Sequence, residues 1–230
     1  PPYLNREAEK IDSLRYQTVY SRNEGSVAAP TAGLHFTKDV IDRLKKKNVE
    51  MQELTLHVGA GTFVPVKTRN AVEHNMHIET FYVKKDLLYL LARNKKRIIA
   101  IGTTSCRTLE SLYWLGVNRI FSKSSNFYLG QWDAWRMKNE VPLQDSMESL
   151  IHYLENSGKD ELIASTGIMI VPGYHFQVTS GLLTNFHQPS STLLMLIAAL
   201  TGDDWRRIYH YALDNDYRFL SYGDSSLLFR

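Results

Sequence analysis

Apolar positions recur at helical spacing in TKDVIDRLKKKN (37–48), where Val40, Ile41 and Leu44 share one face, Thr37 stands as N-cap and lysines gather at the C-terminal end. MQELTLHV, FVPV and IETFYV (78–83) then read as extended segments. A helix around KDLLYLLARN follows, then an apolar strand RIIAIGT (97–103) feeding a helix that opens near TSCRTLESLYWL. Later elements are a strand near STGIMIV, an extended YHFQV, helices over 191–200 and 204–213, and a final strand-like YRFLSYG. This alternation predicts one α/β domain over 1–230 with a largely parallel sheet. Between 117 and 159 the pattern degrades into an aromatic-rich polar stretch containing NFYLGQWDAW, which reads as an insertion or long excursion. No internal repeat or low-complexity tract interrupts the chain.

The stretch LTLHVGAGTFVPV (54–66) looks like the first strand and phosphate turn of a dinucleotide fold. Such a turn works by opening a helix. Here the glycines are followed by Thr62, Phe63, Val64 and Pro65, which continue an extended chain and block a helix. Gly59 and Gly61 are therefore expected to bring bare backbone close to a ligand beside His57.

Composition narrows the class. Apolar residues make up 43% and charged residues 22%, as in a globular domain, and the single Cys106 excludes an internal disulfide framework. A reducing, cytoplasmic setting is expected. No apolar run reaches the roughly 20 residues of a membrane helix; the longest, STLLMLIAAL (191–200), has the length of a buried helix. A net charge of +3 permits a polyanionic partner without demanding one. The chain opens Pro1-Pro2 with no initiator methionine, which reads as a piece of something longer.

Chemistry gathers at the ends of the predicted strands. IIAIGTTSCRTLES (98–111) delivers Gly102, Thr103, Thr104 and Ser105 to a helix N-terminus, with Arg107 and Glu110 just behind. That arrangement suits a polar pocket for a carboxylate or ribose, and equally a βα turn with Thr104 or Ser105 as a plain N-cap. APTAGLHF supplies His35 among small residues, and EHNMHIE places His74, His77 and Glu79 at the start of a strand. Three histidines with a carboxylate fit no strong zinc spacing, so no metal is expected; a general acid/base role or ribose binding suits them better. LLTNFHQPSSTLLML combines Asn185 and His187 with a Ser-Ser-Thr helix start, and RFLSYGDSSLL sets Tyr222 and Asp224 around Gly223. Repetition of one design, apolar strand followed by small and polar residues and then a capped helix or turn, favours an enzyme site built from strand-end loops.

Together RYQTVYSRNEGSVAAPTAGLHF, TLHVGAGTFVPV, GTTSCRTLES, VPGYHF, LLTNFHQPSSTLLML and YRFLSYGD closely resemble the S-adenosylmethionine:tRNA ribosyltransferase-isomerase family of queuosine biosynthesis. The motifs match in order from Tyr16 to Asp224. The resemblance implies a TIM-barrel-related catalytic domain. It also implies transfer and isomerisation of the ribosyl part of S-adenosylmethionine onto 7-aminomethyl-7-deazaguanine at the wobble position of a tRNA anticodon, giving epoxyqueuosine while adenine and methionine leave. S-adenosylmethionine is then a ribosyl-donor substrate, and the anticodon stem-loop is the partner. Carried onto this sequence, the reaction assigns proton transfer to His57 and His77, with His35 as a further catalytic histidine. Gly59, Gly61, Thr103, Thr104, Arg107 and Glu110 fall to substrate binding, with Thr103, Thr104 and Arg107 at the methionine end or ribose. Asn185 and His187 fall to the nucleoside, and Tyr222 and Asp224 line the site.

Three departures stand out. Family members carry a long N-terminal part with barrel elements and a small β-domain, so the barrel is expected to be incomplete here. After His187 the usual Leu-Pro-Lys-Ser-Thr is Gln188, Pro189, Ser190, Ser191, Thr192, which removes a cation. The excursion with Trp132 and Trp135 is longer than usual; its aromatics either stack on an unpaired base or pack on the domain. Two other classes stay open on sequence alone: a non-catalytic tRNA- or nucleotide-binding relative, and an S-adenosylmethionine-dependent enzyme acting on a small molecule.

Overall fold

A computed structural model describes residues 17–19, 29–57, 73–137 and 140–230. Gly59, Gly61 and the expected extended segment Phe63 to Val66 lie outside them. A 3-10 turn, Thr31–His35, precedes α1 (Lys38–Lys46); the order continues β1 (Thr55–His57), β2 (Glu79–Lys84), α2 (Lys85–Arg93), β3 (Ile99–Ile101) and α3 (Thr103–Ser122). Then come β4 (Tyr128–Leu129), α4 (Asp133–Arg136), α5 (Leu143–Asn156), β5 (Glu161–Thr166), β6 (Gly181–Asn185), α6 (Thr192–Thr201), α7 (Asp204–Asp214) and β7 (Ser225–Phe229).

Local chemistry explains several of these. Thr37 accepts a hydrogen bond from Val40 N at 3.3 Å and caps α1, whose half-buried face is the expected Val40, Ile41 and Leu44. Ser191 caps α6 in the same way, accepting from Leu194 N at 3.2 Å. In β2 alternate side chains, Glu79, Phe81 and Val83, point into the core, while Leu87, Leu88 and Leu91 line the buried face of α2. Each fully buried aliphatic side chain contributes about 1.5–3 kcal/mol.

The strands form two mixed sheets, not one largely parallel sheet. The larger has the order β1-β2-β5-β4 and the smaller β3-β6-β7. Among the described residues only the β4/β5 and β3/β6 pairs are parallel; β1/β2, β2/β5 and β6/β7 are antiparallel. The expectation failed for a definite reason. β2, α2 and β3 follow one another in sequence, but β2 and β3 enter different sheets, so their alternation builds no parallel crossover. No closed barrel is seen among the described residues.

α3 runs between the sheets. At 20 residues it is about 30 Å long, and it is buried nearly all round from Cys106 to Val117. The stretch expected to be an excursion supplies its main helical neighbour. α5 buries Met147, Leu150, Ile151 and Leu154 against α2 and α3. At the α3–α5 crossing Ser146 Oγ donates to Tyr113 O at 2.7 Å and Ser149 Oγ donates to Gly116 O at 2.9 Å. A Cβ on Gly116 would sit 2.7 Å from the Ser146 carbonyl carbon, so only glycine admits this approach. Trp132 and Trp135 of that stretch meet edge-on at 6.2 Å, and Trp135 is anchored on one side while remaining exposed on the other. Trp135 donates to Met169 O at 3.0 Å and meets Tyr174 edge-on at 6.0 Å. The expected strand YRFLSYG is a turn; the strand is the following Ser225–Phe229.

Candidate functional site

Strand direction gathers the chemistry at one end of both sheets. β3 ends at Ile101 beside Leu183 of β6, and β7 begins with Ser225 opposite Asn185. In the larger sheet Glu79, at the start of β2, lies opposite Thr166 at the end of β5, and His57 at the end of β1 lies opposite Thr80. The first turns of α3 join these two rims.

One rim lines a cleft of about 1220 Å³ that includes His57, Gly102, Thr103, Thr104, Ser105, Asn185 and His187. Gly102 has φ +87°, a conformation that favours glycine, and its N–H donates to Leu183 O at 2.8 Å. As N-cap of α3 it provides no capping side chain, and the first turn holds no acidic residue. The amides of Thr103–Ser105 and the positive end of the helix dipole therefore face the cleft uncapped, which suits an anionic or hydroxyl-rich ligand group. Neither Thr104 nor Ser105 acts as a side-chain cap.

Asn185, almost wholly buried, accepts from Thr31 Oγ1 at 3.1 Å through Oδ1, and its Nδ2 lies 2.9 Å from His35 Nε2. Burial pushes the His35 imidazole below its ordinary range, with the nearby Asp224 carboxylate acting in the opposite direction. An unprotonated Nε2 accepts from the Asn185 amide. His187 is half-buried, its Nε2 2.9 Å from Thr184 Oγ1, and its backbone N–H donates to Tyr209 Oη at 3.0 Å. Desolvation pushes its imidazole down to about 4.

The second rim is a buried charge cluster. Arg107 and Glu79 are 3% and 1% exposed, and Arg107 Nη1 donates to Glu79 Oε2 at 2.7 Å. Glu79 Oε1 lies 2.9 Å from His77 Nε2, and Arg107 Nε donates to Ile168 O at 3.3 Å. Arg107 Nη2 is buried without a hydrogen-bond partner. Burial draws the guanidinium pKa down while Glu79 draws it up. Glu79 thus contacts the His77 ring with a carboxylate itself braced by Arg107, an arrangement chemically suited to proton transfer.

The expected site residues sort accordingly. His57, Thr103, Thr104, Asn185 and His187 share the cleft, with His35 and Asp224 grouped behind Asn185. His77 and Arg107 belong to the neighbouring cluster. His57 and His77 do not face each other: His57 shares a sheet face with Thr80, and Glu79 points to the other. His57 is exposed and meets the Tyr82 ring edge-on at 5.1 Å. Glu110 is fully buried and turned toward the 174–179 loop. It accepts from Tyr174 Oη and from the N–H groups of Gln177, Val178 and Thr179 at 2.8–3.1 Å. Burial raises the Glu110 carboxyl, opposed by those four hydrogen bonds. Asp224 closes a turn, accepting from Arg218 N at 2.8 Å and donating its own N–H to Arg218 O at 2.7 Å. Tyr222 is exposed on that turn, whose Leu220 and Ser221 line the cleft instead. Sequence reasoning missed Thr31 and gave Glu79 only a metal role; its place two residues after His77 at a strand start was the available signal. Among the described residues no group of three or more His, Cys, Asp or Glu side chains is placed to hold a metal.

Known proteins share this architecture. The chain is 44% identical over 235 residues to the S-adenosylmethionine:tRNA ribosyltransferase-isomerase of Rickettsia bellii (strain OSU 85-389), covering all of this chain and 55% of the relative. It is 40% identical over 230 residues to the Geobacter metallireducens protein of the same name, covering 98% and 55%. The crystal structure of S-adenosylmethionine tRNA ribosyltransferase from Thermotoga maritima superposes with a TM-score of 0.54 at 31% identity, over 85% of this chain and 50% of that one. The chain thus spans about half the length of the curated relatives it matches. A sequence model described as queuosine biosynthesis protein matches residues 1–228, and the chain belongs to that family.

Proposed function

We propose that this chain carries a donor-binding and proton-transfer part of a tRNA ribosyltransferase-isomerase. Its relatives are named for S-adenosylmethionine and tRNA, and the motif residues Thr103, Thr104, Asn185 and His187 line the cleft. The observation that carries the reading is the meeting, at the first two turns of α3, of an uncapped polar cleft and a carboxylate-held histidine. In this reading Thr103, Thr104 and the α3 amides take the carboxylate or ribose of S-adenosylmethionine, and Asn185 and His187 take its nucleoside. His77, held by Glu79, removes the proton from the carbon next to the sulfonium. Adenine and methionine leave, and the ribosyl carbons pass to the amine of 7-aminomethyl-7-deazaguanine at the tRNA wobble position. His57, exposed on the other sheet face, is assigned to the acceptor base or to protonation of departing adenine. A tRNA-modifying reaction of this kind supports a cytoplasmic setting, and the two sheets are read as part of a barrel-like fold.

Adenine release from S-adenosylmethionine, followed by chromatography with an anticodon stem-loop carrying the modified base, tests this. His77→Ala is expected to abolish release while the circular-dichroism spectrum is unchanged. Wild-type turnover in that variant removes His77 from the chemistry.

A further inference from the structure

The turn GQWDAW, conspicuous in sequence, has no part in the site as described so far. Its first side chain reaches across the molecule. Gln131 Oε1 accepts from Met76 N at 2.9 Å and Gln131 Nε2 donates to His74 O at 2.7 Å. One carboxamide thus occupies both a backbone donor and a backbone acceptor, as a neighbouring strand would, and the pairing fixes which end of the amide is oxygen. The same residue is tied on its other side, where Gln131 O accepts from Met169 N at 3.0 Å. Trp135 Nε1 donates to the carbonyl of that same Met169, and Ile168 O is the acceptor for Arg107 Nε. Gly130 N donates to Asp133 Oδ2 at 2.7 Å, closing the turn, while β4 pairs with the end of β5. Both backbone segments that frame the His77–Glu79–Arg107 cluster are therefore pinned to Gln131: 74–76, immediately before His77, and 168–169, against Arg107.

We propose that Gln131 is a positioning residue for His77, holding the 74–76 backbone so that the His77 ring stays against Glu79 within the cluster braced by Arg107. This rests on the assignment of proton transfer to His77. The role of the aromatic-rich stretch is then mechanical: it is a clasp for the catalytic strand start. The geometry of a transferred proton tolerates little displacement, and a shift of about 1 Å can cost on the order of a hundredfold in rate.

Gln131→Met keeps the side-chain bulk and removes both hydrogen bonds. In the adenine-release assay it is expected to lower kcat by about tenfold to a hundredfold with KM for S-adenosylmethionine unchanged. In ¹H–¹³C spectra the His77 ring signal, identified by its loss in His77→Gln, moves in Gln131→Met. Gln131→Glu, which can still accept from Met76 N but repels His74 O, behaves like the methionine variant. Unchanged kcat in Gln131→Met refutes the proposal. So does a fall in kcat accompanied by an equal change in KM and an unmoved His77 signal, which is the mark of a merely structural role. Wild-type turnover in His77→Ala overturns the proton-transfer assignment and the proposal with it, whereas an inactive His77→Ala beside a wild-type Gln131→Met refutes the positioning role alone.

Discussion

Glu79→Gln is the most informative single change in the charge cluster. The substitution preserves shape and leaves an amide that can still meet His77, but it removes the carboxylate that pairs with the Arg107 guanidinium. Arg107 is 3% exposed and already holds one buried Nη2 without a hydrogen bond, so little water reaches it to replace the carboxylate. Breaking one side of a buried pair in this way costs about 3–5 kcal/mol, because the remaining charge stays desolvated. For a domain of this size the melting temperature should fall by about 10 °C. Replacing both members, Glu79→Gln with Arg107→Met, removes the stranded charge and should recover most of the loss. Urea unfolding followed by circular dichroism measures all three variants against the wild type. A cost below about 1 kcal/mol for Glu79→Gln, or a double variant no more stable than the single, would refute the buried pair as the organising contact of the cluster.

Three further outcomes follow from other contacts. His187, pushed down to about 4 by burial, binds its proton in the unfolded chain before the folded one as pH falls. Its stabilising contribution is therefore complete above the ordinary histidine value of about 6.5 and is lost as pH falls toward about 4, by at most about 3 kcal/mol because the ring keeps some solvent contact. His187→Gln should flatten the acid limb of stability against pH by up to that amount, and an unchanged limb refutes the burial of the ring. Gly116→Ala pushes a methyl group into the Ser146 backbone and should cost about 1–3 kcal/mol in the same unfolding assay. Glu110→Gln replaces one acceptor oxygen with an amide donor that faces donors on the 174–179 loop and should cost about 1–3 kcal/mol, with faster amide exchange at Gln177 to Thr179.

Local signals carried much of the helical content. The N-caps Thr37 and Ser191 stand where the sequence places them, because capping depends on residues three positions away. The helix α5 shows the i, i+3, i+4, i+7 spacing of Met147, Leu150, Ile151 and Leu154, concealed by the aromatic stretch before it. Sheet membership was not legible. Whether β2 and β3 share a sheet depends on contacts between distant segments, and YRFLSYG reads as a strand until Asp224 folds it back onto Arg218. The same division holds for the site. Strand-end polar residues are a local pattern, so the cleft residues could be named in advance. The partners that aim them could not: Gln131 meets residues 55 and 57 positions away, and Asn185 meets Thr31 across 154. Glu110 shows the converse, a polar residue in the right motif whose side chain turns toward a loop.

The most direct test of the central claim is calorimetric titration of S-adenosylmethionine into this chain and into its Asn185→Ala variant. Wild type is expected to bind and the variant to show a clear loss of affinity, since Asn185 lines the cleft held between Thr31 and His35. Absence of binding to the wild type, or equal affinity in the two proteins, would contradict the placement of the donor at this rim.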